Sequence, residues 1–374
     1  MTRLMADVLL VSKPIAPPWH DSSKNLVRDL ASHMRRHRPI VLSQPNVELD
    51  MPRATVEPIY AAHGGGFSPA LRDNARVFAR LWTGRRGELW HFFFAPNPKT
   101  STIAALSSRA RRIRTVQTVC SAPREDVDIA KLLFADRIVV LSEHTRGRCL
   151  ASGVAAERVR LIRPSVPALT PLATDRVAAE RARLDLPIER PLIVYAGDME
   201  FGRGADLALE AHADLPRDLD AFLVMACRAK TPRARARERA LRERARALGI
   251  EERVRFLGET PFIHALLSVA DLVTLPTDTL YAKMDMPLVL VEAMSLGRAV
   301  LVGKGTPAEE LAIDDGAVAV ATERDAVSAA TRALLQDANM RKRIGERART
   351  HVARDYDPSQ MAAQYERVYD ELCA

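Results

Sequence analysis

Two blocks of alternating strand and helix patterns, separated by a proline-rich break, limit what this chain can fold into. In the first block "ADVLLVS" leads to "SKNLVRDLASHMRRH", then "PIVLSQP" follows. "ELWHFFFAP" leads to "STIAALSSRARRIR", "RTVQTVC" to "DVDIAKLLFA", and "DRIVVLS" to "HTRGRCLASG", before "RVRLIRP" ends the block. Short β-branched runs that alternate with amphipathic stretches predict a parallel sheet, because parallel strands need crossover helices and those cover both faces. "PSVPALTPLATD", residues 164–175, reads as a linker. The alternation resumes at "PLIVYAGD" and continues through "AFLVMACR", "VRFLG", "DLVTLPT", "RAVLVGKG" and "VAVAT" to a helical tail. With 374 residues the chain exceeds one ordinary core. The expected class is α/β, with two doubly wound domains over residues 1–170 and 171–355. In such sheets ligands sit at the carboxyl ends of the strands, here expected in a cleft between the domains.

Composition narrows the class. Hydrophobic residues make up 47% and charged residues 27%. No uncharged apolar run approaches the roughly 18 residues of a membrane span. "MTRLMADVLLVSKP" is expected to be a first strand rather than a signal peptide, since its apolar run is short and holds Asp7. Cys120, Cys149, Cys227 and Cys373 lie far apart and form no CxxC pair, which argues against zinc or a disulfide framework and fits a reducing cytoplasm. Residues 1–170 hold 26 Lys and Arg against 14 Asp and Glu, a net of +12; the remainder holds 29 against 33, a net of −4. A one-sided positive field favours an acidic partner or an anionic membrane surface. Nucleic acid is not expected, because aromatic residues for base stacking are only 5% of the chain.

"KMDMPLVLVEAMSLG", Lys283 to Gly297, poses the sharpest local question. Pro287 suits a helix start and Gly297 a helix end, yet Glu292 lies amid Leu288, Val289, Leu290, Val291, Ala293, Met294 and Leu296. A carboxylate in an apolar helix needs donors. An arginine in the core and a ligand are the two alternatives.

Together with "VYAGDMEFGRGADLALEAH", "RVRFLGET", "VADLVTLPT", "LVLVEAMSLGRAVLVGKGTPAEEL" and "RTHVARDYDPSQMAAQYERVYDEL", this stretch resembles the retaining glycosyltransferases of family 4, which have the GT-B fold. The family signature is a glutamate, seven residues and a second glutamate followed by Ala-Met and a Gly; Glu292-Ala293-Met294 with Gly297 matches its second half. The resemblance implies that Glu292 accepts hydrogen bonds from the ribose of a nucleotide sugar. The first glutamate falls on Met284, between Lys283 and Asp285. Lys283 is then expected at the donor diphosphate and Asp285 at a sugar hydroxyl. In "GDMEFGRG" the family places two cations on the diphosphate; here Asp198 replaces the first and Arg203 keeps the second, with Lys283 or Arg228 to compensate. Gly202 and Gly204 would let a phosphate approach amides at a helix start. The ending resembles a helix, residues 356–374, that crosses back to the first domain.

Other residues carry less. Ser22 and Ser23, after Asp21, read as helix caps or as part of a cleft-facing loop, and Trp19 and His20 are expected to face the cleft. Cys120 stands where many relatives have a histidine, but no thiolate-stabilising partner is evident and the resemblance implies no protein nucleophile. His91 reads as a satisfied core histidine, and "EDVD" at Glu125–Asp128 as chance rather than a metal site. "PRARARERALRERARALG" reads as a solvated helix held by ion pairs.

The resemblance therefore implies a retaining, metal-independent glycosyltransferase that uses a UDP- or GDP-sugar and needs no further cofactor. Its acceptor would be a glycan or a lipid-linked molecule, and its place the cytoplasm or the inner face of a membrane. The alternatives are an epimerase or hydrolase of the same fold, or a non-catalytic nucleotide-sugar binder. Donor turnover without acceptor separates the first, and nucleotide binding without turnover the second.

Overall fold

The structure, a computed structural model, describes residues 5–61, 70–84, 88–229 and 231–374. The chain divides into two units. The first comprises residues up to Ser165, the tripeptide Met284–Met286 and Asp357–Ala374; the second comprises Val166–Lys283 and Pro287–Tyr356.

The first unit is built on seven strands: β1 (Asp7–Val11), β2 (Arg38–Leu42), β3 (Thr55–Glu57), β4 (Leu89–Phe93), β5 (Thr115–Val119), β6 (Arg137–Val140) and β7 (Val159–Leu161). They lie in the order β3-β2-β1-β4-β5-β6-β7. Every pairing is parallel; for example, Leu9 pairs with Ile40 on one side and Trp90 on the other. β4 and β5 are buried along their whole length. That burial on both faces is why they read as continuous apolar runs rather than alternating ones. Strand order reverses between β1 and β4, which makes their carboxyl ends the switch point.

The second unit repeats the plan with β8 (Leu192–Tyr195), β9 (Phe222–Met225), β10 (Val254–Phe256), β11 (Leu272–Leu275), β12 (Ala299–Gly303) and β13 (Val318–Val320). The order is β10-β9-β8-β11-β12-β13, again parallel throughout, with the switch point between β8 and β11. Both sheets are thus Rossmann-like.

Local forecasts differ from the structure in places. "DVDIAKLLFA" yields only a 3₁₀ turn over Ile129–Leu132, and "TPAEELAI" a 3₁₀ segment over Pro307–Asp315. The helical tail is two helices, Ala338–Asp355 and Pro358–Cys373, broken where Asp357 caps the second ahead of Pro358. The alternation does not predict β3 or the helix Leu71–Thr83, and both form. "PRARARERALRERARALG" forms the helix Pro232–Ala247, with Arg242 bonded to Glu238 one turn earlier at 2.7 Å. No helix among the described residues is long and apolar enough to cross a membrane.

The helix Pro358–Cys373 belongs to the first unit and packs on the helix Ser22–His33. Its Glu366 accepts the backbone N–H groups of Arg35 at 2.9 Å and His37 at 3.0 Å. Its Tyr369 bonds His91 at 2.7 Å, whose other ring nitrogen bonds Thr118 at 2.7 Å. His91 is wholly buried, and burial holds its pKa well below the ordinary imidazole value. It is a satisfied core histidine.

Candidate active site

The carboxyl edge of the second sheet gathers four loops. The loop after β8 turns on Asp198, whose carboxylate accepts the N–H of Glu200 at 2.8 Å and of Phe201 at 2.6 Å. The buried Tyr195 hydroxyl donates to the Asp198 carbonyl. The loop then runs through Gly202 and Arg203 into the helix Gly204–Ala213. It leans on the loop after β11. A Cβ on Gly202 would lie 2.4 Å from the Thr277 hydroxyl oxygen, and one on Gly204 would lie 2.9 Å from the Thr277 Cβ. The two glycines are therefore required for loop-against-loop packing, which the sequence reading assigned to phosphate access.

The backbone N–H of Arg203, at the helix cap, donates to Asp278 Oδ1 at 2.9 Å. A carboxylate thus already sits on one amide expected for phosphate. The Arg203 side chain is exposed and forms no ion pair with described residues. Lys283 does pair: its Nζ lies 2.7 Å from Asp198 Oδ1. The residue that replaces the family's first cation is thus the partner of the lysine expected to compensate for it. Arg228, after β9, pairs with Glu259 at 2.9 Å.

Glu292 lies in the second turn of the helix Leu288–Ser295, which buries Leu288, Leu290, Val291, Ala293 and Met294. Its side chain is 13% exposed and faces His264 Nε2 at 3.5 Å. The protein partner is an imidazole, not the core arginine considered from sequence. His264 stands in the first turn of the helix Ile263–Val269 that follows β10. Sequence reasoning missed both His264 and Asp278, although "PFIHALL" and "LPTDTLY" display them at helix and loop starts.

Asp285 is held by the first unit. The tripeptide Met284–Met286 is part of the first unit. The Asp285 carboxylate accepts the hydroxyls of Ser142 at 2.7 Å and Thr145 at 2.5 Å, and its N–H donates to the Cys120 carbonyl at 2.8 Å. All three side-chain partners are buried. Each of its oxygens accepts a buried protein hydroxyl, partners that the sequence reading, which expected a sugar hydroxyl there, did not include. Met284 is buried as well.

At the switch point of the first sheet, Asp21 caps the helix Ser22–His33. Ser23 donates both its N–H, at 3.0 Å, and its hydroxyl, at 2.6 Å, to Asp21 Oδ1, while Lys13 bonds Oδ2 at 2.7 Å. Burial alone would raise the Asp21 pKa, but Lys13 and Ser23 outweigh it and hold the group at about 2. Ser22 opens the first turn. The half-buried Trp19 carries the Arg28 guanidinium 4.9 Å from its ring centre, and His20 is exposed. Cys120 is buried, and burial pushes its thiol pKa up to about 12, so it is no nucleophile. Glu125, Asp126 and Asp128 are exposed, and no three metal-ligating side chains cluster among the described residues.

Residues 177–351 match the family described as glycosyl transferases group 1. Among curated proteins no sequence matches the chain. In solved structures the fold resembles HepE of Anabaena, crystallised with UDP and glucose, at TM-score 0.77 and 18% identity over 98% of this chain and 99% of that one. It also resembles the sucrose-phosphate synthase of Thermosynechococcus elongatus, at TM-score 0.74 and 18% identity over 98% and 99%. A glycosyltransferase from Rickettsia africae matches at TM-score 0.74 and 15% identity over 98% of both chains. With two Rossmann-like sheets, a group 1 match spanning most of the second unit, and these neighbours in fold, the protein is a GT-B glycosyltransferase.

Proposed function

We propose that the protein moves a sugar from a nucleotide-sugar donor to a glycan, a glycolipid or another hydroxyl acceptor, with retained anomeric configuration and without a metal ion. One observation carries this reading: Arg203, Lys283 and Glu292 all leave the carboxyl edge of one sheet, on segments that flank or follow its switch point. HepE, of the same fold, was crystallised with UDP-glucose, which supports a nucleoside-diphosphate sugar as donor.

In this reading Glu292 accepts from the ribose, with His264 steadying one of its oxygens. Arg203 and Lys283 stabilise the departing diphosphate, where negative charge grows as the bond to the anomeric carbon breaks. The sugar passes through an oxocarbenium-like state. The acceptor oxygen bonds the anomeric carbon on the same face, and its proton passes to a diphosphate oxygen. No protein nucleophile is required.

Two variants test the electrostatics. Arg203→Ala is expected to lower kcat about a hundredfold, the order seen when one preorganised charge donor is removed. Asp198→Asn should act in the opposite direction on binding. Asparagine keeps an acceptor for the amides of Glu200 and Phe201 but frees the Lys283 ammonium. Diphosphate binding should then tighten at most about fivefold, matching the upper end, roughly 1 kcal/mol, of what a partly exposed ion pair contributes. Steady-state rates with the donor read Arg203→Ala, calorimetry with UDP and GDP reads Asp198→Asn, and NMR of the product reads the anomeric configuration, with and without chelator. Absence of binding to either nucleotide would remove the basis of this reading.

A further inference from the structure

The helix Leu71–Thr83 has two apolar stripes. The inward one, Val77 and Leu81, packs on the core formed by Leu9, Trp90 and Phe92. The outward one, at spacings of four, three and four, is Leu71, Ala75, Phe78 and Trp82. Leu71 is 87%, Phe78 42% and Trp82 44% exposed. The Phe78 and Trp82 rings lie 6.0 Å apart. The neighbouring helix Pro98–Arg111 adds Ile103 and Leu106, 50% and 61% exposed. Arg111 joins the two helices by donating to the carbonyls of Trp82 and Gly84. Core formation needs only the inward stripe, and among the described residues the outward one is left exposed.

The charge around it has one sign. Residues 70–84 and 98–114 contain eight Lys and Arg and one acidic residue, Asp73. Arg76 bonds Asp73 at 3.2 Å, and Arg80 is held by Glu57 and Glu88. Arg72, Lys99, Arg109 and Arg112 are exposed and form no ion pair with described residues. Exposed aromatic and leucine side chains beside unpaired cations match the boundary of an anionic bilayer, where rings lie at headgroup depth and each cation gains from the surface potential. We propose that the stripe Leu71–Ala75–Phe78–Trp82, with Ile103 and Leu106 beside it, docks the protein on an anionic membrane surface.

Co-sedimentation of the full chain with phosphatidylcholine vesicles, with and without phosphatidylglycerol, tests this. Binding is expected only to the anionic vesicles, weakening with salt. The pair Phe78→Ser and Trp82→Ser should lower the partition coefficient at least roughly tenfold, since binding scales with inserted apolar area. Arg72→Gln with Arg109→Gln should lower it about fivefold per charge. If the serine pair fails to fold, Leu71→Ser alone serves, at a side chain that is almost fully exposed. The proposal is overturned if the wild type ignores anionic vesicles or if the variants bind as it does. A serine pair that turns an oligomer into a monomer while vesicle binding persists would also overturn it, because the stripe would then be a contact between copies.

Discussion

Replacing Glu292 with alanine is expected to weaken nucleotide-sugar binding about a hundredfold and to leave the melting temperature of the free protein nearly unchanged. The first part follows from charge-assisted hydrogen bonds, each contributing roughly 1.5–3 kcal/mol when a buried partner is stranded. In the proposed donor site two ribose hydroxyls would share this carboxylate, which gives the order stated. The second part follows from surroundings: the side chain facing Glu292 is the imidazole of His264 at 3.5 Å, and alanine suits a helix interior. Calorimetry against the donor and a thermal melt without it check the two halves separately. Wild-type affinity would remove Glu292 from the donor site; a large fall in melting temperature would make it a structural carboxylate.

Asp285→Ala should do the reverse. The buried hydroxyls of Ser142 and Thr145 would lose their acceptor, and the helix Glu143–Ala151, which Ser142 caps, would lose its anchor. A loss of about 3 kcal/mol is expected, the usual cost of breaking a buried charged network on one side. Urea unfolding of the full chain measures it, and activity per folded molecule should change far less than stability. A variant that stays stable yet is inactive would return Asp285 to the reacting groups. The two predictions separate neighbouring carboxylates that the sequence treats alike.

Much of the architecture was legible because period and burial are local properties. "LWHFF" and "TVQTV" are continuous apolar runs because β4 and β5 are covered on both faces. Gly297 ends its helix with a φ of +70°, a conformation glycine adopts without cost. The helix Leu71–Thr83 has a polar face of Arg72, Arg76, Arg80 and Thr83 opposite its apolar residues, so its period was present in the sequence and the reading passed over it. Within the site, Arg203 and Glu292 stood out by type and place. Gly202 and Gly204 stood out for phosphate access, and the structure adds a packing reason, since what a Cβ would strike is Thr277, on another loop.

Composition and periodicity were enough to determine two parallel sheets of the same winding, and hence the edges at which chemistry can occur. Which side chains at those edges are open to a ligand was decided only in three dimensions. Asp285 meets Ser142 and Thr145 across 143 and 140 residues of chain, and Asp278 reaches the Arg203 amide across 75. Availability is set by partners brought from far away, whose Coulomb and hydrogen-bond energies depend on distances in space. Residue type and spacing do not contain those distances.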